Sequence, residues 1–278
     1  MRELAGLLTR AQARLAHTDT PRLDAELLLA HTLDKPRSWL HAWPEYRLTD
    51  AELTAFEARL ARRAQGEPLA YITGRCGFWS LDLKVTPATL IPRADSETLI
   101  EWALELIPPG ADCSLADLGT GSGAIALALA TERPACRLTA TDLSPAALAV
   151  AQENAAHNGL SQIDFRSGRW LEPLAGERYA LIASNPPYVA EGDPHLAALT
   201  HEPISALTSG ADGLSALREI IEQAPAHLLP GGWLLLEHGW DQGAAMRTLL
   251  LEHGYQCIET RRDLAGHERI SGGCLAHP

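Results

Sequence analysis

Cys113-Ser114-Leu115-Ala116-Asp117-Leu118-Gly119-Thr120-Gly121-Ser122-Gly123 is the stretch on which the fold turns. Its first six residues read as a short buried strand, and Ala124 to Ala130 open a helix of small apolar residues. Between them, three glycines permit a tight turn and let the backbone come close to a ligand, while the helix N-terminus offers unpaired N–H groups. The next predicted strand, Arg137 to Thr141, ends on Asp142, near the distance at which a carboxylate grips ribose hydroxyls in nucleotide-binding βαβ units. Gly119, Gly121 and Ala124 also satisfy the loose dinucleotide pattern G-x-G-x-x-G/A, so an NAD enzyme stands as one reading. Against it, Asp117 puts a carboxylate beside the loop, where a diphosphate is repelled.

A second stretch decides between these readings. Tyr179-Ala180-Leu181-Ile182-Ala183 reads as a buried strand, and Asn185-Pro186-Pro187-Tyr188 follows. Two prolines fix φ and remove two donors, so the strand stops and the chain stiffens. Asn185 then sits at a strand's carboxyl end, where open α/β sheets bind ligands. The carbonyl oxygens of Asn185 and Pro186 suit the hydrogens of a planar NH2 group, and the Tyr188 ring suits its face. With this motif in view, the run acidic-x-Gly-x-Gly-x-Gly at Asp117–Gly123 resembles the S-adenosylmethionine loop of seven-stranded methyltransferases.

Composition sets outer bounds. With 278 residues and 46% hydrophobic content, the chain can build one large domain and a small one. No apolar run approaches the roughly 20 residues that span a bilayer, and Met1-Arg2-Glu3 opens into an amphipathic segment without a signal-peptide core. Five scattered cysteines, none in a CxxC, predict buried free thiols in a reducing cytoplasm. Eleven histidines lack metal-ligand spacing, so no metal is expected. Residues 1–75 carry 11 basic and 10 acidic side chains, which leaves 12 basic and 25 acidic for residues 76–278. A domain gripping long nucleic acid shows a basic face, so no stable nucleic-acid partner is expected, and none at a membrane.

The chain divides near residue 75. Apolar spacing predicts helices over 4–15, 23–33 (with Asp24 and Glu26 facing outward) and 49–64, the last with a capping box at Thr49 and Glu52. Residues 1–75 are thus a helical bundle, serving either to recognise a macromolecular substrate or to cap the larger domain. Weak alternation over 70–90 predicts a β-hairpin, with 76–90 as the linker. From 91 to 278, strands and helices alternate: a helix from Asp95 (as N-cap) to Ile107, then strand 113–118, helix 122–131, strand 137–141, helix 145–157, strands 162–165 and 179–183, helix 213–228, strand 233–238 and an antiparallel edge near 255–260 and 269–275. The class is α/β, doubly wound.

Taken together, these residues resemble the protein-glutamine N5-methyltransferases that act on peptide-chain release factors, over nearly the whole chain. Further matching segments are Ile91 to Glu97, Glu202-Pro203 with Gly210 to Gly213, Leu236-Glu237-His238-Gly239 with Gln242-Gly243, and Arg262 to Gly266. Ala94 departs from the family, where proline is usual. The resemblance implies a Rossmann-like seven-stranded methyltransferase domain behind a small N-terminal helical substrate-recognition domain, with S-adenosyl-L-methionine as cofactor. It implies that Gly119, Thr120, Gly121, Ser122 and Gly123 wrap the cofactor's methionine part, that Asp142 binds its ribose and that Asn185 borders it. Trp170 reads as a core residue by itself; only the resemblance lays it against the adenine. Asn185, Pro186, Pro187 and Tyr188 would hold the glutamine of a Gly-Gly-Gln loop in a class 1 release factor, with Asn185, Pro186 and Tyr188 as the catalytic set, in the cytoplasm.

An amide nitrogen is a poor nucleophile, and neutral Asn185 is no strong base, so such a site works by position and electrostatics. Other substrates keep their place. A nucleic-acid exocyclic amine is also planar and conjugated, a ribosomal-protein glutamine offers the same amide, and a cofactor-binding scaffold without turnover would use the same loop.

Overall fold

A computed structural model describes residues 3–276. By its internal contacts the chain forms two compact units, one ending at Arg75 and one beginning at Cys76.

The first unit holds α1 (Leu4–Arg14), α2 (Pro21–Leu33), α3 (Arg37–Ala42), α4 (Asp50–Ala64) and α5 (Leu69–Thr73). Leu7, Leu28, Leu29, Leu40, Phe56 and Leu60 meet in its core. The capping box forms as expected: the Glu52 amide donates to Thr49 Oγ1 at 3.3 Å and the Thr49 amide donates to Glu52 Oε2 at 2.7 Å. Asp24 and Glu26 do not face outward. Both are buried, because cations from elsewhere in the unit neutralise them: Arg63 donates to Asp24 at 2.8 Å, and Arg22 and Arg37 each reach Glu26 at 2.9 Å. A charged group buries only when paired, and the sequence period alone did not reveal those partners.

A two-stranded sheet follows, β1 (Arg75–Phe78), whose first residue is the last of the first unit, and β2 (Leu81–Lys84). The hairpin therefore occupies 75–84, and 70–73 belong to a helix. Then come α6 (Glu97–Leu106), β3 (Ser114–Leu118), α7 (Ala124–Glu132), β4 (Arg137–Asp142), α8 (Pro145–His157), β5 (Asp164–Ser167), β6 (Tyr179–Ser184), α9 (Ser215–Gln223), β7 (Leu228–Glu237), α10 (Gly243–Glu252), β8 (Gln256–Arg262) and β9 (Glu268–Cys274). Asp95 does not cap α6: it lies in a 3-10 turn over Ala94–Ser96, with Ser96 in the capping position and no side-chain cap bond.

One seven-stranded sheet runs β5-β4-β3-β6-β7-β9-β8, parallel except at the β7–β9–β8 edge. Helices cover both faces. Leu115, Leu181 and Ala183 pack with α6, α7 and α8, whereas Ala116, Leu118 and Ile182 pack with α9 and α10. Successive strand residues thus feed opposite cores, which is why β3 and β6 are apolar almost throughout. β3 and β6 are neighbours although a βαβ path leaves β3 on one side and returns as β6 on the other. Their carboxyl ends flank the point where strand order reverses, the crevice in which open α/β sheets take ligands.

The cysteines are free, but only Cys136 is buried: Cys76, Cys113 and Cys274 are half-buried and Cys257 is exposed on the edge strand β8. Among the described residues no helix is long and apolar enough to cross a membrane, and no group of three or more His, Cys, Asp or Glu residues is placed to hold a metal.

Candidate active site

The register Leu118↔Ser184 brings the Gly119 loop and Asn185 to the same level at the carboxyl ends of β3 and β6. Ser184 Oγ donates to the Leu118 carbonyl at 2.6 Å and fastens the two strand ends together. Above them lies a cavity of about 290 Å³. Gly119, Thr120, Gly121, Ser122, Asp142, Trp170, Asn185 and Pro187 all line it; Gly123, Pro186 and Tyr188 do not.

The loop is held from beneath. Gly119, Gly121 and Gly123 adopt φ of +69°, +58° and +86°. Asp117 is fully buried under the loop, where its Oδ2 accepts from Thr120 Oγ1 at 2.6 Å and from the Ala126 amide at 3.1 Å. It is therefore a brace for the turn, not a charged rim of the cavity. Burial pushes its carboxyl up to about 7 against these two bonds, and the nearby charge of Asp142 adds to the rise. Asn154, a buried side chain of α8, ties three segments together: Nδ2 donates to the carbonyls of Lys84 and Ser122, and Oδ1 accepts from the Lys84 amide at 2.7 Å. The sequence reading passed over Asn154 because its partners lie 70 and 32 residues away.

Asp142 closes the loop's far side. Oδ2 accepts from the Gly121 amide at 2.9 Å and Oδ1 from the Ser144 amide at 2.8 Å. Burial raises its carboxyl above the usual range, opposed by these two amides. A carboxylate oxygen accepts more than one hydrogen bond, so both retain capacity for a pair of hydroxyls. Trp170, at φ +47°, is half-buried and lies against the loop; a Cβ built on Gly119 would stand 2.9 Å from its ring. Beside it, Leu90, Ile125 and Leu143 give the cavity apolar walls. A sugar edge of carboxylate, flat apolar walls and a glycine backbone floor fit a nucleoside with a short charged tail.

The segment after β6 is gripped on every side. Asn185 Nδ2 donates to Ser96 Oγ at 3.1 Å, and Ser96 Oγ donates to Glu237 Oε2 at 2.5 Å. Tyr188, expected to lay its ring on a substrate amide, instead directs its hydroxyl to Glu237 Oε1 at 3.3 Å. Its carbonyl accepts from Gln242 Nε2 at 3.0 Å, while Gln242 Oε1 accepts from the Gly239 amide at 2.8 Å. Glu237 is fully buried, and desolvation raises it to about 7 although Ser96 and Arg269 favour its ionised form. Glu202 holds the 91–93 strand of chain, accepting from the Ile91 amide at 3.3 Å and from Arg93 at 3.2 Å. The motif segments Ile91–Glu97, Glu202-Pro203, Glu237–Gly239 and Gln242, dispersed in sequence, thus converge around Asn185–Tyr188. Among the described residues no donor reaches the Pro186 carbonyl.

Comparison with known proteins agrees with this geometry. Residues 6–74 match the PrmC N-terminal domain and residues 101–209 the methyltransferase small domain. The release factor glutamine methyltransferase of Xylella fastidiosa strain Temecula1 is 54% identical over 254 residues, 91% of this chain and 92% of that protein. The protein of the same name from Escherichia coli K12 is 46% identical over 96% of each chain. Among solved structures, a methyltransferase from Pyrococcus furiosus covers 80% of this chain and 100% of its own at a TM-score of 0.56 and 19% identity, a likeness of fold alone. Identity at this level over nearly the full length of both relatives establishes that the chain belongs to the release factor glutamine methyltransferases, enzymes that use S-adenosyl-L-methionine.

Proposed function

We propose that this enzyme methylates the side-chain amide nitrogen of the glutamine in the Gly-Gly-Gln loop of class 1 peptide-chain release factors, and so tunes translation termination in the cytoplasm. The observation that carries the reading is that Asn185 lines a cofactor-sized cavity at the β3–β6 switch point and is followed directly by Pro186, whose carbonyl accepts no backbone hydrogen bond among the described residues. Gly119 to Ser122 take the cofactor's amino-acid end, Asp142 its ribose hydroxyls and Trp170 its base, while Gly123 closes the turn against Leu127 and Ala151. When bound, S-adenosylmethionine supplies an electrophilic methyl group.

The chain's own residues do the rest. Asn185 Oδ1 and the Pro186 carbonyl each accept one hydrogen of the substrate's NH2, which points the nitrogen at the cavity and enriches its electron density. Pro187 closes the wall beside it, and Tyr188, held through its hydroxyl and its carbonyl, fixes the segment's far end. Alignment of this kind can contribute roughly 7–11 kcal/mol of barrier reduction, which suits a nucleophile as weak as an amide. No group in the wall needs to act as a strong base, because the nitrogen becomes acidic once methylated and gives its proton to water.

The deciding measurement is methyl transfer from labelled S-adenosylmethionine to a purified release factor and to a version with Gln→Ala in the Gly-Gly-Gln loop. Label on the intact factor alone is expected. Label on both factors would move the target to another residue. Label on neither, with cofactor bound, would move the substrate to a ribosomal protein or a nucleic-acid amine; the acidic balance of residues 76–278 disfavours the latter.

The N-terminal unit, residues 1–75, docks the release factor outside its glutamine loop in this reading. Deleting it, with folding checked by circular dichroism, raises KM for the protein substrate by an order of magnitude or more and leaves KM for cofactor nearly unchanged. A truncated, folded enzyme with its original protein KM would reduce the unit to a structural role.

A further inference from the structure

Asn185 carries an amide that can face the cavity with either of two ends, and only one of them can accept a hydrogen from a substrate NH2. We propose that Ser96 and Glu237 form a positioning relay that fixes which end it is, turning Oδ1 of Asn185 toward the cavity. The inference rests on Asn185 being the acceptor for the substrate amide.

The polarity of the relay follows from counting hydrogens. Ser96 and Glu237 are both buried, at 4% and 1% exposure, with Ser96 at the wall of the cavity and Glu237 behind it. Burial raises the Glu237 carboxyl to about 7, and above that pH, once ionised, it has no hydrogen to give, whereas a serine hydroxyl has one. The 2.5 Å contact between them therefore spends the Ser96 hydrogen on Glu237 Oε2. Ser96 Oγ is left with lone pairs only, and its neighbour at 3.1 Å is the Asn185 amide. The end of Asn185 that meets Ser96 must then be the NH2, and Oδ1 is turned away from it. Rotating the amide by half a turn would set two acceptors face to face, and would present the substrate NH2 with another donor.

Glu237 is itself anchored so that this direction holds. It is the last residue of β7, one step beyond the pair Ser184↔Leu236, and so stands level with Asn185 on the adjoining strand. Tyr188 gives its hydroxyl hydrogen to the other oxygen, Oε1, and burial pushes the Tyr188 phenol well above its usual range, so it remains a donor. Arg269, on the antiparallel neighbour β9, adds a positive charge that favours the ionised carboxylate, and Asp95 beside Ser96 opposes it. Ser96 and Glu237 do not contact the reacting atoms in this scheme; they act through Asn185.

The test is a double-mutant cycle with purified release factor as substrate. Ser96→Ala lowers kcat by about 10- to 100-fold, less than the loss of a direct preorganised contact because Asn185 is disordered rather than removed, while the Kd for S-adenosylmethionine stays near wild type. Combining Ser96→Ala with Asn185→Ala is no slower than Asn185→Ala alone, since a residue that works only through Asn185 has nothing left to orient. Ser96→Thr keeps the hydroxyl and restores most of kcat. Glu237→Gln can give or take a hydrogen, so it releases the forced polarity and lowers kcat without unfolding the protein. Ser96→Ala at wild-type kcat overturns the relay, as does a double variant slower than Asn185→Ala by the full Ser96→Ala factor, the mark of a merely structural tie. If Asn185→Ala itself retains wild-type kcat, the acceptor assignment has failed, and the relay falls with it for a separate and visible reason.

Discussion

Asn185→Ala is expected to lower turnover by about 100-fold or more at saturating cofactor, the scale seen when a single preorganised transition-state contact is removed. The substitution takes away Oδ1 but leaves the Pro186 carbonyl, so the substrate amide keeps one of its two anchors and can rotate about it. Lost alignment, more than lost affinity, then sets the cost, and the protein KM should move less than kcat. Folding should change little, because Asn185 is only half-buried and its one side-chain bond goes to Ser96. The check is single-turnover transfer of labelled methyl to a release factor, with cofactor occupancy measured on the same sample. Near-normal turnover at full occupancy would sink the assignment.

Much of this was legible in the sequence; what was not has local causes in the elements and a non-local one at the site. Strands β3, β4 and β6 and helix α8 read correctly because each is a continuous apolar or periodic run with its own stop signal: a glycine loop, an acidic turn, a proline pair, Asn158-Gly159. β7 begins five residues before its expected start, at Leu228, because Pro230-Gly231-Gly232 looks like a break. The sheet absorbs it as an irregularity in the β6–β7 register. Helix α10 is not legible in the sequence because it opens on Gly243, a poor helix former, and has a weak apolar stripe. At the site, the cavity-lining residues of the loop were readable from local chemistry. Pairings between distant segments were not: Ser96 with Glu237 spans 141 residues and Glu202 with Arg93 spans 109. Nothing in a one-dimensional pattern says that a buried glutamate and a serine at the start of a helix will meet.

Gly119→Val is expected to weaken S-adenosylmethionine binding by roughly 30-fold or more, which corresponds to about 2 kcal/mol at 1.4 kcal/mol per tenfold. Two penalties act at this position. Gly119 sits at φ +69°, a backbone conformation that costs an L-residue about 1–2 kcal/mol. An added Cβ would also lie 2.9 Å from a ring carbon of Trp170, and valine places two further methyl groups beyond it. The Trp170 main chain is held in place, since its carbonyl accepts from Thr141 Oγ1 at 2.9 Å. The loop must shift or the ring must swing into the cavity that both of them line, and either movement changes the walls offered to the cofactor. Gly159→Ala separates the two penalties. Gly159 has a similar φ of +71° at the end of α8, but no atom stands within 4 Å of the Cβ it would gain. It should lose stability by the backbone cost alone and bind cofactor as the parent does. Titration calorimetry with S-adenosylmethionine, beside thermal melts of both variants, reads the two effects separately. A folded Gly119→Val protein with parental cofactor affinity would show that the Gly119–Trp170 contact is not part of the cofactor site.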